Sequence, residues 1–273
     1  AAPVSVVFSD TVYYDVKLVA GFDTLRDTII KSNFIKPIDY CDPVAAYLNS
    51  DIGISRVKLG DIDQYSAAGA VEYSDYTENQ VTTLQKGASY TITVERNTNF
   101  NPISRSVWID YNADGFFDGT TELIDTNFAN TLSWSATFTV PGYAQTGSTI
   151  LRVGVSDAPS QNMPCGPNQF GEFEDYSVVI TPDATKPEIT LTGADTVYIQ
   201  ECDYSYSDAG ATAMDNVDGN ITANLTKNSN IDPSTPGVYH VIYNVTDAAG
   251  NEADPVSRTI IVEEDAVAPS LAL

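Results

Sequence analysis

The densest run of oxygen-bearing side chains is Asp110-Tyr-Asn112-Ala-Asp114-Gly115-Phe116-Phe-Asp118. Ligand oxygens stand at loop positions 1, 3, 5 and 9, glycine stands at 6, and the Phe116 carbonyl is available at 7. A hard cation such as Ca²⁺ wants several oxygens converging from a tight turn whose sixth residue adopts a backbone angle suited to glycine. Helical calcium loops carry glutamate at position 12, but here Thr121 occupies it and Glu122 falls at 13. The flanking segments have strand patterning, so the expected site is a non-helical Ca²⁺ loop. Its ligands would be Asp110, Asn112, Asp114, Phe116, Asp118 and Glu122. A solvated Asp/Asn/Gly hairpin turn needs no metal, yet it would crowd three like charges at positions 1, 5 and 9.

A second acidic run, Glu172, Glu174 and Asp175, alternates along a strand, with the two glutamates on one face and Asp175 on the other. These acids suit a cation site or an arginine partner such as Arg152. Paired carboxylates also serve glycosidases, which hold two acids about 5–10 Å apart. That chemistry requires an aromatic sugar cleft, for which Trp108, Trp134 and the tyrosines are the only candidates. In the last third, Asp215, Asn216, Asp218, Asp247 and Asn251 fall in loops near Asp183 and Asp265. Such linker acids bind Ca²⁺ in some tandem modules, and turn chemistry explains them equally well. The single histidine, His240, sits in a strand and has no expected role. His-Glu-x-x-His, Gly-x-Ser-x-Gly, phosphate-binding and dinucleotide-binding motifs are all absent from the sequence. The segment is not expected to be an enzyme.

The elements that position these residues are strands. Ser55–Gly60, Ser89–Glu95, Ser133–Val140 and Tyr239–Val245 alternate apolar and polar residues with period two, bounded by Gly, Pro, Asn and Asp. The expected fold class is all-β, with tandem β-sandwich modules of jelly-roll or Ig-like form. The 273 residues carry 37 acids against 13 lysines and arginines, a formal charge of −24. That excess excludes nucleic acid and anionic membrane as partners. No run of ~18 apolar residues exists to insert in a bilayer. Residues 1–37 are neutral, with four acids and four bases, and residues 38–182 hold eighteen acids against six bases. Residues 183–264 hold fourteen against three.

Cys41, Cys165 and Cys202 contain no C-x-x-C pair, which argues against zinc. Cys41 and Cys165 flank the middle segment, and a disulfide between them is expected to contribute roughly 4–5 kcal/mol by closing a long loop. Two buried thiols are the alternative. Cys202 is either a buried thiol or the partner of a cysteine outside the chain. No signal peptide is visible, so residue 1 is read as a mature start or the beginning of a fragment.

Asp183-Ala-Thr-Lys-Pro187 recurs 82 positions later as Asp265-Ala-Val-Ala-Pro269, each copy following a strand-like run. This spacing reads as a tandem array, with modules at 38–182 and 183–264 and a further repeat starting at 265–273. Several motifs in residues 184–264 carry a resemblance to the Ig-like repeats of bacterial surface proteins, of the hyalin-repeat and DUF5011 kind. They are Tyr206–Ala213, Asp215–Thr222, Thr235–Tyr239 and Tyr243–Asn251. Asp39-Tyr-Cys41, Ser74–Thr77, Val107–Asp118, Leu151–Gly154 and Gly171-Glu-Phe-Glu-Asp-Tyr176 make residues 38–181 similar to the GEVED domain of secreted Bacteroidota-type proteins. That family implies an accessory module of multidomain secreted proteins, metallopeptidases and adhesins among them. Tyr14–Ala20 and Ile29–Ile35 resemble the closing hairpin of a PKD-type sandwich, so residues 1–37 read as a remnant that packs in cis, belongs to a domain only partly included in this segment, or completes a sandwich on another chain. Asp-Thr-aliphatic triplets at Thr11, Thr24, Thr28 and Thr196 resemble the O-glycosylation sequon of secreted Bacteroidota proteins. Asn220, Asn224 and Asn244 fit the eukaryotic N-glycosylation pattern.

The functional expectation is an extracellular structural or adhesive module, part of a Ca²⁺-stiffened stalk, fibre or adhesin. Its partners would be neighbouring copies of itself, further modules of the same chain, or surface glycans. The rival is a carbohydrate- or substrate-binding accessory region of a secreted hydrolase such as a metallopeptidase.

Overall fold

Alternation of period two makes a strand wherever one face meets a core. In Ser133–Thr139 the side chains of Trp134, Ala136 and Phe138 are buried while the residues between them face solvent. On that outer face a ladder of hydroxyl pairs crosses to the neighbouring strand, Ser89–Thr139, Thr91–Thr137 and Thr93–Ser135, each at 2.8 Å. A computed structural model describes residues 14–22, 25–35, 40–41, 43–47, 49, 51–98, 103–157, 164–165 and 167–265. Apart from one 3₁₀ turn at Thr222–Asn224, their regular structure is strand, and the expected all-β class of tandem β-sandwiches holds.

The chain divides into two compact units. The first takes in the residues up to Thr83, Tyr90–Phe138 and Tyr143–Ile180, and the second takes in Leu84–Ser89, Thr139–Gly142 and the chain from Thr181 onward.

The spine of the first unit is the 15-residue strand Pro167–Thr181. On one side it pairs antiparallel with Gly147–Ser156, which pairs in turn with Ser104–Ile109 and then Leu123–Asn127. Along its other side run Val44–Tyr47 and Tyr73–Asp75, both parallel to it, and Val81–Gln85. The second sheet runs Ser133–Thr139, Ser89–Glu95, Arg56–Leu59, Ile62–Tyr65. Residues 171–176 of the spine are buried on both faces. One face carries a cluster of Trp108, Phe117 and Phe173, with Tyr40, Tyr73 and Leu123 packed on it. Gly154 makes room there, since a Cβ would meet the Phe173 ring at 2.4 Å.

Tyr14–Phe22 and Leu25–Ile35 form the expected hairpin, as a two-stranded sheet of its own in register Val19 with Thr28. Val19, Ile29 and Ile30 are exposed. Adjacent residues of a strand point to opposite faces, so the exposure of both Ile29 and Ile30 leaves apolar surface on each side of this ribbon.

The second unit is a smaller sandwich. A three-stranded sheet, Glu188–Leu191, Ala211–Asp215, Gly219–Asn220, accompanies a four-stranded one, Thr196–Gln200, Val256–Glu263, Gly237–Asn244, Thr226–Ser229. Its core contains Ile189, Ile199, Ala213, Val241, Tyr243, Ile260 and Val262. A buried arginine crosses this unit: Arg258 pairs with Asp208 and donates to the carbonyls of Ala194, Thr192 and Gly210.

Candidate cation loop and the buried acid strand

The segment after Ser104–Ile109 turns back toward Leu123–Asn127, and everything between them must close on itself. Gly115 takes φ +92°, the left-handed angle expected of the sixth loop position, and Ala113 also lies at φ +52°. Asp110 is fully buried at the base of the turn. Its Oδ2 accepts from the Gly115 amide at 3.0 Å and the Tyr40 hydroxyl at 2.7 Å, and Oδ1 accepts from the Asp114 amide at 3.2 Å. Asp114 in turn accepts from the Asn112 side chain at 2.9 Å and the Phe116 amide at 2.8 Å. Burial and the Asp110 carboxylate push the Tyr40 hydroxyl well above its usual pKa.

Glu122, one place beyond the position at which helical calcium loops carry their glutamate, reaches into this turn. Its Oε1 accepts from the Asn112 amide at 3.3 Å and Oε2 from the Asp118 amide at 2.8 Å, and the residue is 2% exposed. Desolvation, with the nearby charges of Asp110 and Asp114, raises its pKa. Asp118 faces elsewhere: its Oδ1 caps the next turn, accepting from both the amides and the hydroxyls of Thr120 and Thr121. Those donors hold it well below the ordinary carboxylate range. Phe116 exposes its ring to solvent. Asp110, Asn112, Asp114 and Glu122 are therefore drawn into one turn, and Asp118 shapes its exit.

The acid strand has a different character. Glu172 is buried, with Oε2 accepting the Ile54 and Gly69 amides at 2.8 Å each. Asp175 lies directly across the register from Arg152, and the two form a bidentate pair at 2.7 and 2.6 Å. The Tyr73 hydroxyl donates to the same carboxylate at 2.9 Å. Arg152 also donates to the carbonyls of Cys41 and Pro164 at 2.8 Å, and Cys41 and Cys165 are joined by the expected disulfide. Glu172 and Asp175 thus do structural work, and the arginine partner expected for the run is Arg152. Trp108 is fully buried and Trp134 nearly so, so neither lines an open sugar cleft.

Glu174 is fully buried and accepts from the Tyr176 hydroxyl at 2.5 Å, while its Oε1 has no partner. Desolvation raises its pKa from 4.5 to about 7. Because the folded value lies above the unfolded one, the stability this group contributes is fully present below pH 4.5 and is lost as pH rises through 7. Glu174→Gln is expected to stabilise the first unit at pH 8 by on the order of 2–3 kcal/mol while changing little at pH 4. Urea unfolding followed by tryptophan fluorescence at the two pH values checks this, since both tryptophans lie in that unit.

In the second unit Asp215 and Asp247 meet Asp183, whereas Asp218 accepts the Ala248 amide at 2.7 Å. Cys202 is exposed and unpaired, not buried, and holds φ +63°. Thr28 is exposed and Thr196 half-buried at the start of an edge strand, while Thr11 and Thr24 lie outside the described residues. His240 faces solvent. The Arg258–Asp208 pair had no local signal in the sequence beyond the scarcity of basic residues in that unit.

Residues 104–179 match the GEVED domain, and residues 189–262 match the Ig-like domain of bacterial surface proteins. A curated relative, the pesticidal crystal protein Cry22Aa of Bacillus thuringiensis, is 29% identical over 105 residues, 37% of this chain. The chain spans 14% of that relative's length. Among solved structures, the lipoprotein BT2262 from Bacteroides thetaiotaomicron is 20% identical, covering 31% of this chain and 41% of its own, with a TM-score of 0.27. A second, of CBM51-2 in complex with GlcNAc and INT domains from Clostridium perfringens ZmpB, is 31% identical over 29% of this chain and 17% of its own, with a TM-score of 0.24. The chain therefore joins a segment matching the GEVED domain to a segment matching the Ig-like domain of bacterial surface proteins.

Proposed function

We propose that this chain is an extracellular structural or adhesive module of a bacterial surface protein, part of a stalk, fibre or adhesin. The observation that carries the reading is the fate of the acid strand. Glu172, Glu174 and Asp175, the residues best suited to acid–base chemistry, are sealed inside the first unit, and two of them hold backbone amides or Arg152 in place. The surface Ig-like match of residues 189–262 supports the same reading. The rival is a sugar- or substrate-binding accessory region of a secreted hydrolase; Trp108 and Trp134 are buried, so its aromatic contacts would fall to exposed tyrosines such as Tyr65, Tyr143, Tyr198 and Tyr204.

In this proposal Ca²⁺ binds the loop through Asp110, Asn112, Asp114, Glu122 and the Phe116 carbonyl. The drawing of two buried carboxylates, Asp110 and Glu122, into one turn supports it. An ion there would replace loop entropy by fixed oxygen contacts and stiffen the turn. The hairpin Tyr14–Ile35, with its apolar ribbon faces, supplies a surface for a neighbouring copy or module by strand addition. Thr28 is the exposed candidate for glycosylation.

Size-exclusion chromatography with light scattering, in Ca²⁺ and in chelator, combined with negative-stain imaging, tests the assembly. Regular polymers that disappear when residues 1–37 are removed are expected. A strict monomer in both conditions removes the fibre reading and leaves an appended module, to be tested on glycans. Ca²⁺ is also expected to raise the midpoint of the tryptophan-reported transition, and an unchanged midpoint would remove the ion from the Asp110 loop.

A further inference from the structure

Three aspartates from separate stretches of the second unit bring their carboxylates together. Asp183 lies on the segment leading into the sandwich, Asp215 ends the strand Ala211–Asp215, and Asp247 sits in the loop after Gly237–Asn244. One oxygen from each lies within 4.8 Å of the others, and the three residues are only 8%, 8% and 7% exposed. Backbone amides hold each carboxylate by one oxygen. Asp183 Oδ1 accepts from Thr185 at 3.0 Å, Asp215 Oδ1 from Val217 and Asp218 at 2.8 Å, and Asp247 Oδ1 from Asn251 at 2.7 Å. The Asn251 side-chain amide closes the group, donating to Asp247 Oδ2 at 2.7 Å and to the Asp183 carbonyl at 3.3 Å. Asp183 Oδ2 and Asp215 Oδ2 remain buried with no donor. Among the described residues, no lysine or arginine forms an ion pair with any of the three.

Carboxylate oxygens buried without donors, beside two further like charges, are costly unless a cation shares them. The backbone amides already fix each side chain in place, so the two unpartnered oxygens have no structural task of their own. Two oxygens bound to one Ca²⁺ at about 2.4 Å stand no more than about 4.8 Å apart, so a single ion can reach all three with side-chain adjustment alone. Mg²⁺ asks for shorter bonds in a stricter octahedron, and Zn²⁺ prefers nitrogen and sulfur.

We infer that Asp183, Asp215 and Asp247 form a Ca²⁺ site that ties the incoming segment of the Ig-like unit to two of its loops. The site is separate from the Asp110 loop and does not depend on the adhesive reading. The Asp-Ala-x-x-Pro motif that supplies Asp183 recurs at Asp265, so a following module would carry the same first ligand.

The test uses the whole chain, stripped by chelator and titrated with CaCl₂ while hydrogen exchange is followed peptide by peptide. Ca²⁺ is expected to slow exchange by roughly tenfold or more in peptides covering 183–187, 215–218 and 247–251. Asp215→Asn is expected to weaken binding at this site by at least about 100-fold and to abolish that protection, leaving the response of residues 110–122 unchanged. Asparagine keeps an acceptor for the Val217 and Asp218 amides and removes one repelling charge. In chelator the variant's second unit should therefore be at least as resistant to exchange as wild type, whereas a purely structural carboxylate would make it less so. Equal Ca²⁺ protection in wild type and variant, no protection in either, or a variant weakened in chelator would each overturn the site. A silent response at residues 110–122 would count against the other loop only.

Discussion

Replacing Arg152 with alanine is expected to cost the first unit on the order of 3–5 kcal/mol, a large fraction of a domain's whole stability. The guanidinium is fully buried. It forks onto Asp175 at 2.7 and 2.6 Å, donates to the Cys41 and Pro164 carbonyls at 2.8 Å, and lies 4.8 Å from the Phe117 ring centre. Alanine would strand Asp175, itself 2% exposed, with only the Tyr73 hydroxyl as donor. It would also leave two carbonyls without their donor. Lysine should recover little, because a point charge cannot span both carboxylate oxygens and both carbonyls. Arg152→Met combined with Asp175→Leu should recover more, since an apolar pair leaves no buried charge behind. Urea unfolding read by tryptophan fluorescence reports the first unit alone. A single alanine variant within 1 kcal/mol of wild type (less than the ~3 kcal/mol floor for a broken buried pair) would show that the cluster is not what holds these segments together.

Breaking the disulfide is expected to have an effect at least as large. Cys41 and Cys165 are 124 positions apart, with Cα atoms 5.4 Å from each other. Loop-closure entropy puts the loss at about 5 kcal/mol for Cys41→Ser with Cys165→Ser. The bond ties the segment before Val44–Tyr47 to the start of the spine strand Pro167–Thr181, the two strands that pair in parallel. Arg152 clamps the carbonyls on either side of the same bond, so the two devices share one task. A double-mutant cycle should therefore give a combined loss well short of the sum. Full additivity would mean that Arg152 and the disulfide act on different steps of unfolding. The measurement is the same tryptophan-reported urea curve, run on wild type, the serine pair, Arg152→Ala and their combination.

The sequence by itself determined the class of fold, the strands that alternate, and the turn of Asp110–Asp118 with glycine at its sixth place. These are local properties: a period of two residues, or a backbone angle that one residue type accepts. The pairing of Cys41 with Cys165 was legible because both thiols fall in one segment. Only the tertiary structure decided what the acids do. Residues 171–176 are buried on both faces, so their alternation of glutamate and phenylalanine mimics a half-exposed strand, and nothing local reveals that water is excluded from both sides. The partners of Glu172 lie more than a hundred residues away, at Ile54 and Gly69, and register alone brings Arg152 opposite Asp175. Glu122 enters the loop, and Asp118 leaves it, because closing the turn between two paired strands fixes where each side chain points. Asp183, Asp215 and Asp247 were each visible as turn residues. Their convergence depends on how two sheets stack, which spacing along a chain does not encode.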